Sequence, residues 1–147
     1  DIEPALATTL QKFEHQSGLK TTLQTTGYGV PLPSDLQIQV LHIVQEALSN
    51  VRKHARASQV WLDVQQQPEW RFEVRDDGIG FEVDAPPFDD THVGLRIMAE
   101  RAERIGARLE VVSIRGRGTS MMLTLPPLPS TLPAVAPATK LGATALS

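Results

Sequence analysis

Three observations predict an α+β fold, a two-layer α/β sandwich in which helices cover one face of a mixed, mostly antiparallel sheet. Helical and strand-like periodicities run in the order helix, strand, helix, strand, strand, helix, strand, strand. The last two strand pairs are joined by short turns, which makes each an antiparallel hairpin. A chain of 147 residues, 41% of them hydrophobic, can bury one sizeable core, so one domain is expected.

The opening stretch "EPALATTLQKFEHQSGLK" places Leu6, Leu10 and Phe13 at helical spacing and stops at Gly18, where a left-handed C-cap suits glycine. Residues 19–26, rich in threonine, predict a strand that ends in the loop "GYGVPLP". Ser34 or Asp35 can cap a long helix over 36–57. The alternating runs 59–65 and 70–76 predict a hairpin around Pro68. A further helix over 93–105 ends at Gly106, and strands at 108–114 and 119–125 flank the "RGRG" turn. After Leu125 the composition changes. Residues 126–147 hold five prolines and one charge and cannot supply a core, so the expectation is a 1–125 domain followed by a disordered tail.

Composition excludes several functions. Fourteen basic against 17 acidic residues give a net charge of −3, so no global attraction to nucleic acid or an anionic membrane surface is expected. The absence of cysteine removes disulfides and thiolate metal sites. No apolar run approaches the ~20 residues of a membrane span, and the N-terminus lacks the basic-then-apolar order of a secretion signal.

The long helix carries a polar stripe. On a wheel advancing about 100° per residue, Asn50 and Lys53 fall within roughly 40° of Glu46, with His54 beside them and Val40, Leu41, Val44, Leu48, Val51 and Ala55 opposite. A solvated face explains such a stripe by position alone. An asparagine inside a helix is a poor choice for that purpose, however, and its carbonyl beside a carboxylate suits a hard cation. His15, His42 and His92 have no second ligand at metal spacing and read as structural.

"RDDGIGF", residues 75–81, is the other concentration of chemistry. A type I′ hairpin would explain Asp77-Gly78, but "GFEVDAPPFDDTHVG" supplies adjacent prolines and no alternating partner strand. The chain therefore leaves the sheet here. Asp76 ends a strand whose Phe72 and Val74 face the core, so its carboxylate can accept from an amine, while Gly78 and Gly80 allow backbone to approach a flat ligand. Calcium-loop, Walker A and dinucleotide-loop patterns are absent.

"HIVQEALSNVRKHARAS", "DDGIGF", "HVGLRIMAERA" and "GRGTSMMLTLP", in this order, resemble the N, G1, G2 and GT boxes of the Bergerat ATP-binding fold. Sensor histidine kinases, gyrase and a heat-shock chaperone share that fold, and the wording is most similar to the subfamily of nitrate/nitrite sensors and the thermosensing desaturase regulator. The resemblance implies that ATP and Mg2+ are the cofactors. It assigns Asp76 to the adenine amine, with Gly78 and Gly80 shaping the pocket and Thr119 assisting. It makes Asn50 the magnesium ligand, Glu46 the catalytic carboxylate ordering water, and Lys53 and His54 the phosphate side. Gly94 and Leu95 would head a helix facing phosphate. Asp77 would form the turn, residues 82–93 the lid, and Arg96 or Arg101 a γ-phosphate contact.

The phosphoacceptor histidine expected upstream has no counterpart among the four histidines. The resemblance therefore implies the cytoplasmic catalytic domain of a larger dimeric inner-membrane sensor. Its partners would be the upstream dimerisation and phosphoacceptor domain and, indirectly, a response regulator. A stand-alone serine/threonine kinase of the anti-sigma type, or an ATP-sensing module without phosphotransfer, are the alternatives on the same fold.

Overall fold

The structure is a computed structural model that describes residues 2–28, 30–81 and 90–128. Its elements are α1 (Ile2–Ser17), β1 (Lys20–Thr26), α2 (Ser34–Asn50), a π-turn (Val51–Ala55), β2 (Gln59–Gln65), β3 (Arg71–Asp76), α3 (Asp90–Arg104), β4 (Arg108–Ile114) and β5 (Gly118–Thr124). The predicted order is observed. The five strands form one sheet in the order β1-β2-β3-β5-β4, parallel only between β1 and β2 and antiparallel elsewhere.

The core lies between the sheet and the helices. Leu6, Leu10 and Phe13 of α1, Val40, Ile43, Val44 and Ala47 of α2, and Met98 and Ala102 of α3 bury against Val60, Leu62, Val64, Phe72, Val74, Met121 and Leu123. Alternation along β2 and β3 sends every second side chain to that face. On the other face Arg75 lies over the Trp61 ring at 4.8 Å and meets Asp63 at 3.4 Å.

Four expectations about boundaries change. The α-helix that carries the polar stripe ends at Asn50 and continues as a π-turn, which Arg56 closes at φ 50°. Its N-terminus has no side-chain cap. Pro33 precedes the first turn, and Gln37 donates from its backbone to Pro33 and from its side chain to Leu32. Helix α3 opens at Asp90, three residues before the expected start. At the C-terminal end, Leu125 is buried, its N–H donates to the Trp70 carbonyl, and Leu128 still packs against the core. Residues 129–147 of the expected 126–147 tail lie outside the described residues, as do residues 82–89 of the expected lid.

Candidate functional site

The polar residues converge at one end of the helix-facing side of the sheet. Strand register places Val60, Asp76, Thr119 and Ser113 in one row across β2, β3, β5 and β4. Successive members of such a row have Cβ atoms about 4.5–5.5 Å apart, so the carboxylate and two hydroxyls are neighbours. Asp76 is 5% exposed and Thr119 6%. A carboxylate this deep must find hydrogen bonds, because burial penalises its charge. Gly78 N–H donates to Asp76 Oδ1 at 2.8 Å, and the nearby Thr119 backbone also favours the charged form. Burial outweighs both and pushes the Asp76 carboxyl above the ordinary carboxylate range, helped by the charge of Asp77.

Asp77 has the opposite environment. Its exposed carboxylate accepts from the Ser58 N–H at 2.9 Å, the Ser58 hydroxyl at 2.6 Å and the Gln59 N–H at 3.0 Å. Those bonds, the Ser58 hydroxyl first, hold its carboxyl below the usual range. Asp77 is therefore a clamp joining the end of β3 to the start of β2, and the expected turn-forming role is corrected.

The glycines serve packing first. Gly80, at φ +69°, lies so close to the Ile114 carbonyl that a Cβ would overlap it, and Gly116 N–H donates to the Ile79 carbonyl at 2.6 Å. The loop after β3 is thus pressed onto the β4–β5 turn, a contact that needs backbone without side chain. Gly78 is buried and is the donor to Asp76.

The stripe of α2 lies against α3. Asn50 is 5% exposed, and among the described residues its Nδ2 has no hydrogen-bond partner. A solvated face is thereby excluded for this position. Glu46 is half-buried one turn earlier. A Cβ on Gly94 would come within 2.8 Å of Asn50 Oδ1 and 2.9 Å of Glu46 Oε2, which locates both oxygens against the backbone of α3. The expected reason for Gly94 is corrected. Only the first four N–H groups of a helix are free, and α3 begins at Asp90, so Gly94 lies past them and its bareness makes room for the two oxygens. Leu95 is partly buried and packs on the core.

On the π-turn Lys53 is exposed, and His54 is partly buried, with Nε2 lacking a partner among the described residues. Arg96 is exposed, whereas Arg101 reaches His42, with its guanidinium 3.4 Å from Nδ1. His92 packs edge-to-face on Phe81, at 5.6 Å between ring centres. Among the described residues no three His, Asp or Glu side chains form a ready metal cage.

One polar residue escaped the sequence argument. Ser113 Oγ accepts from Phe81 N–H at 2.8 Å and lies 2.8 Å from Thr119 Oγ1. A lone serine in an alternating strand carries no motif; only its register opposite Thr119 marks it.

A buried carboxylate at a sheet end, and a buried amide beside a carboxylate on α2, are polar groups that a hydrophobic core does not call for. Residues 35–129 match the family described as histidine kinase-, DNA gyrase B-, and HSP90-like ATPase, and the chain belongs to that family. Its relatives are sensor histidine kinases, and it has the catalytic ATPase domain of that enzyme class. The nitrate/nitrite sensor protein NarQ of Escherichia coli is 34% identical over 126 residues, which span 84% of this chain and 22% of NarQ. DegS of Brevibacillus brevis, a signal transduction histidine-protein kinase/phosphatase, is 30% identical over 124 residues, 84% of this chain and 32% of DegS. The chain thus spans less than a third of the lengths of these two relatives. The histidine kinase domain of a blue-light activated histidine kinase from Erythrobacter litoralis superposes with a TM-score of 0.71 at 28% identity, covering 86% of this chain and 61% of that one.

Proposed function

We propose that the chain binds Mg-ATP with the adenine amine on Asp76, and presents the γ-phosphate to a histidine on a separate domain of the same sensor kinase. The observation that carries this is the buried Asp76 carboxylate, which takes the Gly78 N–H on Oδ1 and keeps acceptor capacity for a ligand. An ionised carboxylate only accepts hydrogen bonds, so a ligand that fits must bring a donor such as an exocyclic amine.

The α2 stripe suits a magnesium ion. Asn50 Oδ1 and Glu46 Oε2 are hard oxygen donors at one locus, and Asn50 Nδ2 shows an amide held in place without a partner of its own among the described residues. Magnesium takes one or two protein oxygens together with phosphate and water, so the lack of a full cage among the described residues is compatible with it. When bound, the ion neutralises charge on the β- and γ-phosphates. Asn50 would hold it, and Glu46 would orient water beside it. Lys53 and His54, on the π-turn that continues the same helix, supply positive charge and a hydrogen-bonding ring toward the phosphates. Gly94 and Leu95 hold α3 against this stripe.

Catalysis in this account is positioning and charge neutralisation, because phosphoryl transfer asks little covalent chemistry of the protein. The nucleophile comes from elsewhere: the partner is the upstream phosphoacceptor and dimerisation domain, with a response regulator downstream of it. Among the described residues no helix is long and apolar enough to cross a membrane; the reading places the domain on the cytoplasmic side of a membrane sensor.

The test is transfer in trans. With γ-labelled ATP the chain alone stays unlabelled, and adding the phosphoacceptor domain puts acid-labile label on that domain's histidine, weakly because tethering is lost. Robust label on His15, His42, His54 or His92 of the chain itself would contradict the proposal.

A further inference from the structure

Asp76, Thr119 and Ser113 are side by side on β3, β5 and β4, and the first two have functions in the adenine reading above. Ser113 has none there, yet it is the hub of the hydroxyl contacts. Its Oγ accepts from Phe81 N–H at 2.8 Å, sits 2.8 Å from Thr119 Oγ1 and lies 3.4 Å from the Gly118 carbonyl. A serine has one proton to donate and two lone pairs. At 3.4 Å the Gly118 contact is well beyond the ~2.7–2.8 Å at which O–H···O bonds cluster. With the Ser113 proton on its shorter contact, to Thr119 Oγ1, rather than on the long one to the Gly118 carbonyl, the Thr119 proton is left for a ligand.

That polarity selects a ligand edge. Beside Asp76, which only accepts, stands a hydroxyl that donates, so the matching edge offers a donor and, next to it, an acceptor. An amine beside an unprotonated ring nitrogen, the N6–N1 edge of adenine, has this order; the O6–N1 edge of guanine has the reverse. We propose that Ser113 is a positioning residue for base recognition, which pins the Thr119 hydroxyl as a donor to the ring nitrogen next to the amine. Without Ser113, the Thr119 rotor is released among its staggered wells. The strongest acceptor then in its neighbourhood is the Asp76 carboxylate one strand away, and a bond there withdraws Thr119 from the base and occupies a lone pair meant for the amine. The serine also links the chain Phe81 N–H, Ser113 hydroxyl, Thr119 hydroxyl and base into one run of hydrogen bonds, each polarising the next.

The inference rests on the adenine assignment, and the experiment separates the two. Calorimetry is run on the whole chain with Mg-ATP and with its 1-deaza analogue, in which a C–H replaces N1. The wild type binds ATP roughly five- to tenfold more tightly than the analogue, the size of one hydrogen bond. Ser113→Ala and Ser113→Cys lower that ratio to about twofold, whereas Ser113→Thr, which keeps the hydroxyl, retains it. Cysteine is close to serine in size and a poor donor, so it serves even if alanine impairs folding. A purely structural loss of the Phe81 contact weakens both nucleotides equally and leaves the ratio unchanged; that result overturns the inference. So does a wild type that does not distinguish the two nucleotides. No ATP binding by the wild type would instead sink the adenine assignment itself.

Discussion

The Asp77 carboxylate holds Ser58 twice, accepting from its N–H at 2.9 Å and from its hydroxyl at 2.6 Å. It thereby fastens the segment that leaves the π-turn to the end of β3, where Asp76 stands. Asp77→Ala leaves the Ser58 and Gln59 N–H groups to water and should lower stability by about 1 kcal/mol, because these groups are exposed. Urea unfolding reads this directly. The sign with pH is fixed: a carboxyl held low in the folded state stabilises above its unfolded value near 3.9 and loses that contribution as pH falls through its folded value. The difference between wild type and Asp77→Ala should therefore shrink in acid. A constant difference down to about pH 2 would contradict the clamp.

Asp76 titrates in the other direction. Its folded carboxyl lies above the ordinary value, chiefly through burial, so it favours the apo fold below the unfolded value and loses that contribution as pH rises through the folded value. An amine donor stabilises the charged form, so ATP affinity should fall as pH drops through the Asp76 value while Asp77 remains ionised. Carboxyl-detected NMR of the apo chain should find Asp76 titrating above Asp77. The reverse order would contradict the assigned environments.

Gly94 and Asn50 test the α2 stripe. In Gly94→Ala the new methyl meets Asn50 Oδ1 and Glu46 Oε2, so those side chains must move and magnesium-dependent ATP binding should fall about tenfold or more, with binding in EDTA little changed. Asn50→Leu removes a buried amide whose Nδ2 has no partner among the described residues. It should leave the apo fold as stable or up to about 1 kcal/mol more stable, yet abolish phosphotransfer. Equal loss with and without magnesium in both variants would remove Asn50 from the metal's side.

Two truncations locate the end of the domain. Removing residues 129–147 should leave the thermal midpoint within about a degree, since their composition cannot build a core. Cutting after Leu125 also removes Leu128, which packs on the core, and should lower the midpoint by a few degrees, on the order of 1 kcal/mol. Equal midpoints would show that Leu128 contributes nothing.

The order of elements was legible because periodicity and glycine stops are local. Leu6, Leu10 and Phe13 announce α1, and Gly18 ends it at φ +75° with its N–H on the Glu14 carbonyl. Asp76 and Asn50 were legible for a different reason, since each is an unusual residue type for its predicted element. Features that depend on register or on which elements touch were not legible. Nothing local distinguishes a π-turn from a last α-turn in "VRKHA", and Ser34 looks like a cap although Pro33 takes that position. The bare face of Gly94 has meaning only once α3 lies on Asn50, and Ser113 only once β4 pairs with β5. The fastening of Asp77 to Ser58 spans 19 positions, beyond any turn pattern.

Calorimetry of Mg-ATP on Asp76→Asn tests whether Asp76 receives the adenine amine. The amide cannot accept as the carboxylate does on both oxygens and sets a donor opposite the amine, which leaves groups unpaired at about 1–3 kcal/mol. Affinity should fall by roughly tenfold to a hundredfold while the thermal unfolding of the variant stays cooperative. Unchanged affinity for Mg-ATP in a folded Asp76→Asn chain would place the adenine elsewhere and contradict the account.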